Sequence, residues 1–226
     1  MKVEHVKRFA LGFVIPVIVL FLWFVTTEFG SVPSTILPGL PKVGQAFLEM
    51  VQSGQLGTDL SISLMRVVKG FLLSAGIGVT LGSLMGMFEM VRMLCLPIMT
   101  VIRQIPMIAW IPLIILWAGI GETSKVIVIV IAAVFPIMVN TLSGIASTPR
   151  SYVEVAKLYK LSKWKTFVKL YLPHAMPQIF VGLKLGLGVS WMAVVASELI
   201  AAASGIGYRM NEARSKNNIG YRIINK

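Results

Sequence analysis

Hydrophobic positions along the chain fall into long uninterrupted blocks, not into the alternation expected of strands. Phe9–Thr27 carries no charged side chain, and neither does Gly70–Phe88, which lies between Lys69 and Glu89. A third block, about Met93–Ile120, has Arg103 as its single charge and contains Pro97, Pro106 and Pro112. Val126–Ser147 holds Pro136, and about Pro177–Ala203 holds Lys184 and Glu198. A helix needs about 20 apolar residues to cross the hydrocarbon core. The pattern therefore predicts an all-α integral membrane protein with spans at about 9–27, 70–88, 93–120, 126–147 and 177–203. The prolines of the third block remove backbone donors and should kink or break it. No run after Gly207 is long enough to span.

Composition supports this class. The 226 residues are 56% hydrophobic and 13% charged, whereas soluble domains run at about 45–50% and 25%. The net charge of +12 sits on the flanks of apolar runs without interleaved aromatics. That placement argues against nucleic-acid binding and matches basic loops beside membrane spans. Cys95 is the single cysteine, so no intrachain disulfide can form, and no Cys/His group has zinc spacing. His5 and His174 lie apart in basic segments and read as interfacial. Lys2, Lys7 and Arg8 precede the first block, but that block is too long for a secretory leader and no small-residue cleavage site closes it. It is read as a retained helix.

Basic residues set the orientation. Lys2, Lys7 and Arg8 place the N-terminus in the cytoplasm, which puts Glu28–Arg66 outside. Four spans on, Arg150, Lys157, Lys160, Lys163, Lys165 and Lys169 face a single acid, Glu154, on the cytoplasmic side. The end of the chain breaks the rule. Five spans put Ser204–Lys226 outside, yet it carries Arg209, Arg214, Lys216, Arg222 and Lys226. A missing sixth span or a non-native tail would account for this.

Small residues recur four apart at Ser74, Gly78, Gly82 and Gly86, and again at Gly182, Gly186 and Ser190. Such spacing lines one helix face and permits close helix approach. Polar groups inside the spans are functional candidates. Arg103 either lines a path for an anionic solute or sits at the cytoplasmic end against lipid phosphate or Glu89. Gln104 and Asn140 are further solute-path candidates, although Asn140 also suits an interhelical hydrogen bond. Glu198 either pairs with Arg209 or lines an outer gate. Lys184 lies near the cytoplasmic entry of its span and should snorkel. Trp110, Trp117 and Trp191 read as belt or packing aromatics.

Residues 149–175 separate the fourth and fifth spans. Pro149 can open a helix. From Tyr152 the apolar positions Val153, Ala156, Leu158, Leu161, Trp164, Phe167 and Val168 follow a helical period, with lysines on the other face. A basic amphipathic helix beside a bilayer either lies in the interface or docks into a groove of a cytoplasmic partner.

Glu154, Ala156, Leu170, Leu172 and Pro173 fall at the spacing of the cytoplasmic loop of ABC-importer permeases, Glu-Ala-Ala, three residues, Gly, nine residues, Ile, one residue, Leu-Pro. Val155 replaces the second residue, and Lys160 stands where that loop has glycine. The helix must run on past Lys160, or Lys160 must adopt a costly backbone conformation. Pro38-Gly39-Leu40-Pro41, Ser63-Leu64-Met65-Arg66-Val67, Arg103-Gln104-Ile105-Pro106, Ala109-Trp110-Ile111-Pro112 and Phe135-Pro136 extend the likeness. Over about residues 9–208 the chain resembles the nitrate/sulfonate/taurine branch of ABC-importer permeases.

The resemblance implies a membrane-spanning, non-enzymatic permease of the bacterial inner membrane that moves a small anion. A secondary transporter or a non-transport assembly component is the alternative. Implied partners are an ABC ATP-binding subunit, a periplasmic or lipoprotein solute-binding protein, a second permease copy and membrane lipid. The chain itself would hold no cofactor: it has no glycine-rich phosphate loop, so ATP would bind to the partner. Glu154–Lys165 would be the lever that docks on the ATPase. Ala156 would be small because the partner's groove is tight, and Leu170, Leu172 and Pro173 would steer the return into the membrane. The family continues into a last span after about Tyr208, so the polar tail predicts truncation or a frameshift with impaired assembly.

Overall fold

The computed structural model describes residues 2–30, 32–34 and 36–224, with side chains placed within 12–215. Every regular element among them is helical. In chain order the helices are α1 (Lys2–Glu28), α2 (Leu40–Gln52), α3 (Gln55–Met87), α4 (Glu89–Gln104), α5 (Met107–Ala118), α6 (Glu122–Ala146), α7 (Arg150–Leu158) and α8 (Lys163–Thr166). A π-turn at Phe167–Tyr171 then leads into α9 (Leu172–Ala201), and α10 (Ile206–Ile224) follows.

The chain divides into two compact units, Met1–Thr58 with Glu212–Lys226, and Asp59–Asn211. In the first, Trp23 Nε1 donates to the Pro38 carbonyl at 3.0 Å, which ties the end of α1 to the approach to α2. Pro41 is the second residue of α2, in the first turn where its missing N–H costs nothing, and none of the side chains of α2 is buried.

The second unit is organised around α6. Its Val128, Ile129, Ala133, Ile137, Met138 and Ile145 are all buried. The two small-residue stripes both face it, from different helices. A methyl group added at Gly82 of α3 would sit 2.5 Å from the Met138 carbonyl oxygen, and one at Gly186 of α9 would sit 2.7 Å from the Ile137 side chain. Gly78 meets Ile137 as well. Ile137 is thus gripped from two sides by helices that approach as closely as a hydrogen atom in place of a side chain allows. In an apolar solvent such packing supplies the association energy that the hydrophobic effect cannot.

Helix boundaries differ from the hydropathy blocks in informative ways. The second block starts at Gly70, but α3 begins at Gln55. Asp59 and Arg66 are buried inside this helix instead of ending it, because each has an internal partner. The third block is two helices, α4 and α5, bent by 99°. Ile105 adopts an extended backbone before Pro106, as the proline ring requires of the residue preceding it. Pro97 and Pro112 are accommodated inside α4 and α5.

The fifth block starts at Pro177, but the helical run is continuous over Lys163–Ala201, 39 residues. Leu172 N–H bonds back to the Phe167 carbonyl, five residues earlier. This wider turn lets Pro173 enter a helix without the clash against the preceding turn that an α-helical register would impose. Among the described residues three helical runs are long and apolar enough to cross a membrane, α3, α6 and Lys163–Ala201, and the bent α4–α5 pair makes a fourth. α1 contributes a shorter apolar section, Gly12–Glu28. The tail read as a polar stretch forms α10 over Ile206–Ile224.

Overpacking a tight site costs about 1–3 kcal/mol or more. Gly82→Leu should therefore lower the melting temperature of the detergent-purified protein strongly. Gly76→Leu, on the same helix but facing open space, should leave it nearly unchanged.

Candidate functional site

The loop after α6 turns on two capping devices. Pro149 precedes the first residue of α7, and the helix ends at Leu158. Lys160 N–H bonds to the Lys157 carbonyl at 2.9 Å and Leu161 N–H to the Ala156 carbonyl at 3.1 Å. This pair of bonds satisfies the last carbonyls of a helix and demands a left-handed residue between them. Lys160 supplies it with φ of 50°, the one non-glycine positive φ among the described residues. The helix therefore does not run on: a lysine takes the conformation that glycine adopts without strain. Ser162 then caps α8, its Oγ accepting from Lys165 N–H at 3.3 Å.

α7 presents two faces. Ala156 is 6% exposed and lines a cavity with Val153, Leu161, Met87 and Phe88. The residues around it belong to this chain, to α7 and its following turn and to the junction of α3 with α4. On the other side Leu158 and Tyr159 are 80% and 78% exposed, with Tyr152 and Val155 also open. Glu154 is exposed, Leu170 and Leu172 are half-buried and Pro173 is exposed. Leu170 lies in the π-turn, while Leu172 and Pro173 open α9.

The four solute-path candidates do not converge. Arg103 and Asn140 line one cavity of about 420 Å³ between the α4–α5 break, α6 and α9, whose other walls are mainly apolar. Asn140 Nδ2 donates to the Pro136 carbonyl at 2.7 Å, a bond back to its own helix and not across to another. Arg103 has no ion pair among the described residues, and Glu89 pairs with Arg92 at 3.0 Å instead. Gln104, the last residue of α4, does not line this cavity, and neither does Glu198.

Glu198 lies at the heart of a buried ionic cluster. Arg66, 3% exposed, donates through Nη1 to Glu198 Oε1 at 2.7 Å and to the Ser204 carbonyl at 2.9 Å. Its Nε donates to Glu122 Oε2 at 2.7 Å, and its Nη2 bonds the other Glu122 oxygen. Ser63 Oγ donates to Glu198 Oε1 at 2.8 Å, and Gly207 N–H donates to Glu198 Oε2 at 2.9 Å. Glu198 is 1% exposed, and all these donors converge on its carboxylate. It does not pair with Arg209, which bonds Asp59 at 2.8 Å. Gly205, with φ of +106°, turns the chain where any side chain would strike the Glu198 carboxylate at 2.5 Å.

Hydropathy alone hid this cluster, because Arg66 was assigned to an external segment. The available signal was the spacing of Asp59, Ser63 and Arg66, which places all three on one helical face.

The model of the family described as "binding-protein-dependent transport system inner membrane component" matches residues 78–223, from the middle of α3 through the loop to α10. The chain belongs to this family. The permease is 36% identical to the putative aliphatic sulfonates transport permease protein SsuC of Bacillus subtilis over 90% of its own length and 74% of that protein's. It is 36% identical to the SsuC of Escherichia coli over 88% and 76%. The nitrate import permease protein NrtB of Synechocystis is 38% identical over 75% of this chain and 62% of its own. The permease is thus a transport component of an ABC importer in the inner membrane and not an enzyme. It works with an ATP-binding subunit and a solute-binding protein.

Left-handed backbone costs a non-glycine residue about 1–2 kcal/mol. Lys160→Gly should raise stability by about 1 kcal/mol in thermal denaturation of the purified permease, without loss of folded yield. Arg66→Met leaves Glu198 buried and unpaired, which should cost about 3–5 kcal/mol. Arg66→Met with Glu198→Leu should recover much of that loss, and a double-mutant cycle of melting curves reads the coupling.

Proposed function

We propose that this permease moves a small organic or inorganic anion, of the sulfonate, taurine or nitrate kind, and that α7 is the lever through which the ATP-binding subunit drives it. The observation that carries this reading is the uncovered apolar face of α7. Tyr152, Val155, Leu158 and Tyr159 stand open on a nine-residue helix whose opposite side is already packed. Such a helix offers a cytoplasmic partner a groove-filling surface. Glu154 sits on its exposed surface within reach of the same partner.

The arrest at Lys160 ends the lever sharply, and α8, Leu170, Leu172 and Pro173 carry its movement into α9. A second copy of the chain completes the pathway, and the N-terminus and the 149–175 loop share the cytoplasmic side. The cavity shared by Arg103 and Asn140 serves as the solute path in this reading, since an unpaired guanidinium among apolar walls favours an anion. Gln104, adjacent at the end of α4, stands at its approach, and Glu198 acts by holding the outer ends of the helices together. The polar residues of α10 lie outside the membrane.

Leu158→Asp should abolish co-purification of the ATP-binding subunit while the permease remains folded. Arg103→Gln should retain the subunit yet lower uptake of labelled anion in proteoliposomes by about tenfold, the factor that 1.4 kcal/mol of lost interaction gives. Retention of the ATP-binding subunit by Leu158→Asp would overturn the lever assignment, and undiminished uptake by Arg103→Gln would overturn the path.

A further inference from the structure

We propose that the cavity between the end of α3 and the start of the α8–α9 run binds one anionic phospholipid, with acyl chain inside and phosphate against Lys163. The cavity measures about 480 Å³ and is walled by Val79, Leu84 and Met87 of α3 and by Phe167 and Leu172 opposite. That volume falls within the range of sites that enclose an organic ligand, about 300–1,000 Å³. Its walls are apolar apart from Thr80, Ser83 and Lys163. Ser83 Oγ is buried and has no hydrogen-bond partner.

The position of the cavity fits a lipid. α3 ends at Met87 and the long apolar run begins at Lys163, so two membrane-crossing segments terminate at this one level. Trp164 stands exposed at the mouth, and tryptophan and lysine together mark the headgroup depth of a bilayer. Charge selects which lipid. Lys163 Nζ lies 5.2 Å above the Phe88 ring and has no carboxylate partner among the described residues. Between Arg150 and Lys169 there are six basic residues and one acid, Glu154. A phosphate with no compensating cation of its own is favoured there over a zwitterionic headgroup, as in other basic pockets between helix ends on the cytoplasmic side.

The cavity also borders the lever. Met87, Phe88 and Lys163 line both this cavity and the one beneath Ala156. A bound lipid would therefore support the surface on which α7 rests.

Native mass spectrometry of the detergent-purified permease with its ATP-binding subunit tests the site, using dioleoyl phosphatidylglycerol and dioleoyl phosphatidylcholine at equal concentration. The wild type should retain the glycerol lipid over the choline lipid by about fivefold, the factor one basic residue contributes at an anionic surface. Lys163→Gln should erase that preference and Lys163→Arg should keep it. Leu84→Trp, which fills the cavity, should lose both adducts. Equal retention by the wild type, or a preference that survives Lys163→Gln, would overturn the proposal. So would a photo-crosslinker at Trp164 that captures the ATP-binding subunit and no lipid.

Discussion

A guanidinium and a carboxylate buried among apolar helices must meet, because either one alone would carry an uncompensated charge into a medium that cannot solvate it. Arg66 and Glu198 are that pair. Their contact fixes α3 against α9, and Glu122 adds the start of α6 to the same point. The chain after α9 is drawn in as well: the Ser204 carbonyl accepts from Arg66, Gly207 N–H donates to Glu198, and Gly205 N–H donates to Asp59, one turn of α3 before Ser63. The glycine stripes then let α3 and α9 close on α6 along the rest of their length. An ionic anchor at one end and close backbone approach below it are complementary. The first sets which helices are neighbours, and the second sets how near they come.

Much of this was legible in the sequence, and the misreadings share one cause. The helical class, the break in the third apolar block and a helix over the start of the 149–175 loop followed from hydropathy, proline placement and period. Both small-residue stripes were visible at their four-residue interval, although nothing in the spacing says that they grip the same helix. Helical runs extend beyond the apolar blocks at α3 and α9, where a charge or a proline lies inside the helix. Asp59 and Arg66 do not end α3 because each has a partner remote in sequence, Arg209 for Asp59 and both Glu122 and Glu198 for Arg66. Proline at 177 does not start α9 because the π-turn has already absorbed Pro173. A window of hydropathy cannot see long-range pairing, and a proline rule cannot see a change of helical register.

Within the loop, the lysine at a special backbone position reads as a conflict that only the fold resolves. Lys160 could have extended the helix, and lysine has the propensity to do so. The two terminal hydrogen bonds from Lys160 and Leu161 outweigh that preference, so the strain is tolerated and α7 stays short. The same turn leaves Leu158 and Tyr159 pointing away from the protein. Ala156 is the other half of the same picture: it is buried among residues of its own chain, which no motif spacing reveals.

The unbroken run from Lys163 to Ala201 has a mechanical consequence. Thirty-nine helical residues extend about 58 Å at the usual rise per residue, nearly twice the thickness of the hydrocarbon core. One end of this strut sits in the basic loop at Trp164, and Glu198 lies three residues from the other. No flexible linker interrupts the distance, and its irregularities, the wider turn at Phe167–Tyr171 and the internal Pro177, lie close to the base. A tilt imposed at the foot is therefore delivered as displacement at the buried ion pair, with the bilayer acting as the fulcrum.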